Sequence, residues 1–196
     1  VLVYKDTKLN MARVDLQARA DDKNEAFIAL GQLKSEWMCP LEVTKPWNVK
    51  IQARGDGSFF VIETEKDKKS SLSILSAKGV LTECATDAKL PDLVLATTIW
   101  KKRLAFLGLE KLKRFLYVYA DEKLQRQELN VEQDRNVSTS LKVLNEKELL
   151  VQSGNMLERA TLSSGKMNFA PLFPLPDTKP KQLSQPMLTE NRKVIF

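Results

Sequence analysis

Histidine is absent from all 196 residues. This excludes Ser-His-Asp and Cys-His catalysis within the chain, and His-ligated zinc, copper or haem. Cysteine is scarce. Cys39 and Cys84 are the whole supply, too few for a Cys₄ zinc site. An isolated pair is compatible with one disulfide or with two buried thiols. Trp37 and Met38 beside Cys39 favour the reduced, buried state, because a free thiol behaves as a small hydrophobe. Glycine is also scarce, at seven residues. No G-x-x-x-x-G-K-[ST] is present and no G-x-G-x-x-G follows a strand-like run, so the familiar phosphate-cradling loops are missing. No apolar run approaches the roughly 20 residues of a membrane helix. The longest low-charge stretch, Leu93 to Trp100, has a strand's length. The chain opens without a secretory-signal pattern and without Met. A removed targeting peptide therefore stays open, and an intracellular compartment is the favoured expectation.

What is present is ordinary for a folded protein: 43% hydrophobic residues, 29% charged, and a formal net charge of +6. The length suits one domain or two small ones. The informative feature is a repeated phrase. Residues 3–9 read V-Y-K-D-T-K-L and residues 118–124 read V-Y-A-D-E-K-L. Looser versions are I-L-S-A-K-G-V-L at 74–81 and L-V-Q-S-G-N-M-L at 150–157. Each joins a strand-like run to a short polar turn and a resumed alternation, which is how a hairpin repeats in an all-β array.

The clearest local signal spans 47–65 and opens a four-stranded unit at 47–87. Val49 to Ala53 alternates, Arg54-Gly55-Asp56-Gly57 supplies turn chemistry, and Ser58 to Ile62 returns in β-forming residues. Ser71 to Leu75 and Val80 to Cys84 complete a four-stranded unit. Leu93–Trp100, Leu104–Leu109, Phe115–Ala120 and Lys123–Leu129 predict a second unit within 90–132. One or two helices over 92–116 are the rival, since Leu93, Trp100, Leu104 and Leu107 can share a helical face. Residues 25–33 suit a short helix or a strand. The strand is preferred, with 35–43 as its hairpin partner. Leu141–Leu144, Glu148–Gln152 and Met156–Leu162 predict a partial unit at 136–163, and 1–45 another. From 164 onward, Pro171, Pro174, Pro176, Pro180 and Pro186 point to an extended tail. Asn191 to Phe196 suits a last strand.

The expected fold is therefore mainly β: repeated antiparallel hairpins forming propeller-like four-stranded units over 1–163, followed by a Pro-rich docking tail at 164–196. In texture the units resemble divergent WD-type propellers, although no W-D or G-H signature is present. The alternative is a closed β-barrel or sandwich with one or two short helices.

Two constellations bear on function. Lys101, Lys102, Arg103, Lys111, Lys113 and Arg114 lie among Trp100, Phe106, Phe115, Tyr117 and Tyr119. Cations interleaved with aromatics are the footprint of nucleic-acid binding. The competing expectation is that the aromatics face a core and the cations are solvated. In the tail, Phe169, Leu172, Phe173 and Leu175 make an apolar segment around a P-x-x-P. It suits an intramolecular strap over a sheet edge, or a peptide that docks on a partner. The Arg-Gly-Asp at 54–56 is accounted for by its turn, and the paired acids Asp21-Asp22 and Asp121-Glu122 by solvated turns. Neither cysteine sits in an electropositive setting that would activate it. These features point to a non-catalytic interaction or scaffold module with other protein subunits as partners and no cofactor. An RNA-binding module built on 100–119 is the alternative, and a carboxylate-dependent hydrolase is the most distant one.

Overall fold

The structure, a computed structural model, describes residues 48–64, 70–129, 139–153, 156–163 and 166–172 in full. Beyond them it places only strands at 2–5, 8–20, 26–42, 187–188 and 194–195. The chain is mainly β, and no α-helix occurs among the described residues.

Three four-stranded antiparallel sheets follow one another. The first holds β4 (Val49–Ala53), β5 (Phe59–Glu63), β6 (Ser71–Leu75) and β7 (Leu81–Glu83). The second holds β8 (Leu93–Trp100), β9 (Arg103–Glu110), β10 (Lys113–Ala120) and β11 (Lys123–Glu128). The third holds β12 (Thr139–Val143), β13 (Glu148–Ser153), β14 (Met156–Ser163) and β15 (Lys166–Pro171). Each is an up-and-down meander in chain order, and none closes on itself into a barrel. Ahead of them β1 (Leu2–Lys5), β2 (Lys8–Ala20) and β3 (Ala26–Glu42) form a three-stranded sheet. Short strands β16 (Met187–Leu188) and β17 (Val194–Ile195) pair near the other end.

The repeated phrase is a repeated hairpin register. Tyr4 faces Leu9 and Lys5 faces Lys8 in the first copy; Tyr119 faces Leu124 and Ala120 faces Lys123 in the second. In the second sheet all three turns are two residues long. Their central residues hold positive φ without glycine: Lys101 and Lys102, Lys111 and Leu112, Asp121 and Glu122. Two consecutive positive φ values match the right-handed strand twist, which is why such tight turns recur in hairpins. The rival helices of 92–116 do not form. Leu93 and Leu104 share a helical face only on paper; in the strands Leu104 and Phe106 point one way and Ala105 and Leu107 the other.

That alternation organises the core. Leu104, Phe106, Tyr117 and Tyr119 pack against Phe60, Ile62 and Leu72 of the first sheet. Ala105, Leu107, Leu116 and Val118 pack against Leu141, Leu149, Val151 and Ala160 of the third. The second sheet is thus packed on both faces, and its inner strands β9 and β10 are buried and almost wholly apolar, while β11 at its edge is mostly exposed. Its strand β8 runs beside β4 and beside β12. Thr97 Oγ1 donates to Gln52 Oε1 at 3.1 Å across the first junction, and Trp100 Nε1 to the Asn145 carbonyl at 3.3 Å across the second.

Two details depart from the sequence expectation. Within the expected hairpin of 25–33 and 35–43, residues 26–33 and 35–42 do not pair with each other, because β3 is one long strand whose partner is β2, with bulges absorbing the mismatch. Residues 166–171, expected at the start of the tail, form the fourth strand of the third sheet. Pro171 is tolerated because it ends an edge strand, where a missing N–H donor costs no ladder bond.

Candidate functional site

The six cations singled out in the sequence do not converge. Lys101, Lys102 and Arg103 belong to the β8–β9 turn, whereas Lys111, Lys113 and Arg114 belong to the β9–β10 turn at the opposite end of the sheet. With eight residues in β9 and about 3.3 Å per residue, the two groups stand roughly 25 Å apart. Their roles also differ. Arg114 is buried, 7% exposed, and its guanidinium donates to the Ser153 hydroxyl of the third sheet. The Lys113 ammonium pairs with Glu128 at 2.9 Å, and the Lys111 backbone N–H donates to Asp92 Oδ2 at 3.3 Å. Lys101 and Lys102 are exposed and Arg103 half-buried, and among the described residues none of the three forms an ion pair.

The neighbouring aromatics are core residues. Trp100, Phe106 and Tyr117 are fully buried, and Phe115 and Tyr119 are 9% and 7% exposed. Phe106 stacks on Tyr117 with centroids 4.8 Å apart, and Phe60 meets Tyr119 edge-on at 6.1 Å. The Tyr117 hydroxyl donates to Glu110, which Arg126 Nη1 also clamps at 3.0 and 3.1 Å. Burial first, then the bond to Glu110, pushes the Tyr117 phenol well above its ordinary range.

The unpaired cations border two clefts at one end of the second sheet. One, of about 520 Å³, opens toward the first sheet. Phe60, Ile74 and Tyr119 give it an apolar wall, and Arg54, Lys101, Lys102 and Arg103 face the acids Glu83, Asp121 and Glu122. Cys84, a free and half-buried thiol, lies on this wall. Burial pushes its pKa up, the opposite of what a nucleophile or metal ligand needs. The other cleft, of about 560 Å³, opens toward the third sheet, with Lys101, Arg103 and Lys123 around Val118 and Leu162. Lys101 and Arg103 line both clefts. The β4–β5, β8–β9 and β12–β13 turns meet at this end, as the shared first cleft and the Trp100–Asn145 bond require.

The Arg-Gly-Asp turn is tied into the fold. Arg54 lies over the Phe60 ring at 4.9 Å, and the Ser58 backbone N–H donates to Asp56 Oδ1 at 2.9 Å. Gly55 and Gly57 supply φ values of 87° and 83°. The hydrogen bonds from Ser58 hold the Asp56 carboxyl below its usual range.

Of the apolar tail residues, Phe169 packs into the core between the second and third sheets. The Leu172 N–H donates to the Leu157 carbonyl at 3.0 Å. Phe173 and Leu175 lie outside the described residues. Sequence reasoning missed Lys123 and Arg54 as members of the cationic end. The repeated hairpin phrase held part of the signal for Lys123, since it fixes the β10–β11 turn, which an up-and-down meander brings to the same end as the β8–β9 turn.

Among the described residues no cluster of three or more His, Cys, Asp or Glu is placed to hold a metal ion, and no helix is long and apolar enough to cross a membrane. No known family model matches the chain, and no curated protein matches it significantly.

Proposed function

We propose that the chain is a non-catalytic scaffold module whose four-stranded sheets stack as blades of a propeller-like array, and that it engages other protein subunits through the ends of its hairpins. One observation carries this reading: the second sheet packs on both faces, through its inner strands β9 and β10, against two sheets of the same topology. Faces used for stacking are not available to ligands, so turns and clefts at the sheet ends are the surfaces left for recognition. The adjacency of β4, β8 and β12, the first strand of each sheet, is what a shared axis requires. Loops carried on such a rigid frame are where binding function concentrates.

The alternative, an RNA-binding module, draws on Lys101, Lys102 and Arg103, which have no ion-pair partner among the described residues. It would rest on phosphate contacts, because the aromatics needed for base stacking are in the core.

Native complexes recovered through a tagged chain, nuclease-treated and cross-linked in place, test the two readings. The scaffold reading expects defined polypeptides in fixed stoichiometry, cross-linked to turn lysines such as Lys101, Lys102 and Lys147. Recovery of nuclease-sensitive material alone, with the chain otherwise at monomer mass, would sink it.

A further inference from the structure

The cleft between the second and third sheets combines three properties. Lys101, Arg103 and Lys123 stand around it against a single acid, Asp121. Val118 and Leu162 give it an apolar floor, and the Gln125 side chain adds an uncharged polar group at the wall. None of the three cations has an ion-pair partner among the described residues, whereas Lys89, Lys113, Arg126 and Arg159 elsewhere each hold a carboxylate.

We infer that this cleft is a docking site for an extended acidic segment of a protein partner, one that alternates carboxylates with an aliphatic side chain. The carboxylates meet Lys101, Arg103 and Lys123, and the aliphatic group settles on Val118 and Leu162. Charge complementarity selects an anion. The apolar floor selects a peptide over a nucleic acid. A single-stranded nucleic-acid groove gains base stacking from exposed aromatic faces, and here Trp100, Tyr117 and Tyr119 are buried, which leaves a nucleic acid its phosphate contacts alone. Asp121 on the wall is likewise tolerable beside a peptide's backbone N–H groups and repulsive beside a run of phosphates. The inference rests on the scaffold reading and names the chemical class of the partner.

The test uses the full chain and a short labelled peptide in which Glu alternates with Leu and Ser, read by fluorescence anisotropy. Its Gln-for-Glu counterpart and a single-stranded RNA of equal charge serve as competitors. The pair K101E/R103E is compared with K111E/K142E, an equal charge change on two exposed lysines that do not line the cleft. The expected result is saturable peptide binding, weakened roughly tenfold by K101E/R103E, the scale of two exposed ionic contacts reversed together. K111E/K142E stays within about twofold, as salt-screened charges outside the cleft should. The Gln peptide competes poorly and the RNA no better than the Glu peptide. K101Q/R103Q, which removes charge without reversing it, gives an intermediate loss, and circular dichroism verifies that all variants keep the β spectrum. Absence of saturable peptide binding overturns the site. So does equal weakening by both charge pairs, or tighter binding of the RNA through Lys101 and Arg103. Polypeptide partners retained on K101E/R103E in the native-complex experiment would remove this site while leaving the scaffold reading intact.

Discussion

Gly108 shows how much one residue decides here. It faces Val94 on β8 and Phe115 on β10, and a Cβ built on it would sit 2.5 Å from Pro91 Cβ and 2.7 Å from Tyr117 Cε2. Pro91 can approach only because the position is bare, and it brings Asp92 with it to cap the neighbouring turn. Gly108→Ala should therefore destabilise by about 1–3 kcal/mol, the range for overpacking a dense core. An unchanged urea midpoint would mean that Pro91 yields without cost. Tyr119 makes a second point at this scale. Burial first, then its hydrogen bond with the Cys84 thiol, pushes its phenol up to about 12 from an ordinary 10.0, and Tyr117 moves in the same direction. In the unfolded chain these phenols ionise near pH 10, while in the fold they keep their protons. Above pH 10 the unfolded state binds fewer protons, so stability is complete below that pH and falls as pH rises toward 12. Denaturant midpoints measured along that range should decline, and Tyr119→Phe should remove part of the slope. A midpoint flat to pH 12, or a slope unchanged in the variant, would contradict the assignment.

The elements differ in how legibly the sequence encodes them. Strands β8 to β11 are readable to within two residues because apolar runs of strand length are separated by short charged breaks, and the repeated V-Y-x-D-x-K-L phrase fixes the last hairpin, β10–β11. The same agreement is missing in β3, where Gly31 and Ser35 mimic breaks that bulges against β2 in fact absorb. Strand β15 was obscured by Pro171. Its alternation is genuine, since Met167 and Phe169 pack inward while Lys166, Asn168 and Ala170 are exposed. The candidate site was half legible. The cations are visible in the sequence, but which end of a strand each occupies follows from turn positions, and which are tied up follows from tertiary partners such as Ser153 and Glu128. Because Phe169 packs against the core, Phe169→Ala should cost about 1–3 kcal/mol. That is below the loss for a fully buried Phe, because the ring is only partly covered. Faster amide exchange should appear along β14 and β15. A neutral effect on stability would return the segment to the status of a loosely held tail.

At the scale of the whole molecule, the second sheet is a wall common to two cores. Leu72 meets it from the first sheet and Leu149 from the third, and the two share no core cluster. Links at both ends reinforce the stack: Thr97 to Gln52 on one side, Trp100 to Asn145 and Arg114 to Ser153 on the other. Independent four-stranded units would lose one buried face each, and a sheet of that size gains stability by covering a face. The three sheets should therefore unfold together. Leu72→Ala and Leu149→Ala, each at a site at most 1% exposed, should each cost about 2–5 kcal/mol. Both should shift the same single transition, and amide protection in β9 and β10 should fall by a similar factor in each variant. The double variant should lose close to the sum, since the two sites lack shared contacts. Two transitions, or protection lost in one outer sheet alone, would show that the sheets fold as separate units and would remove the rigid frame on which the turn-end site depends.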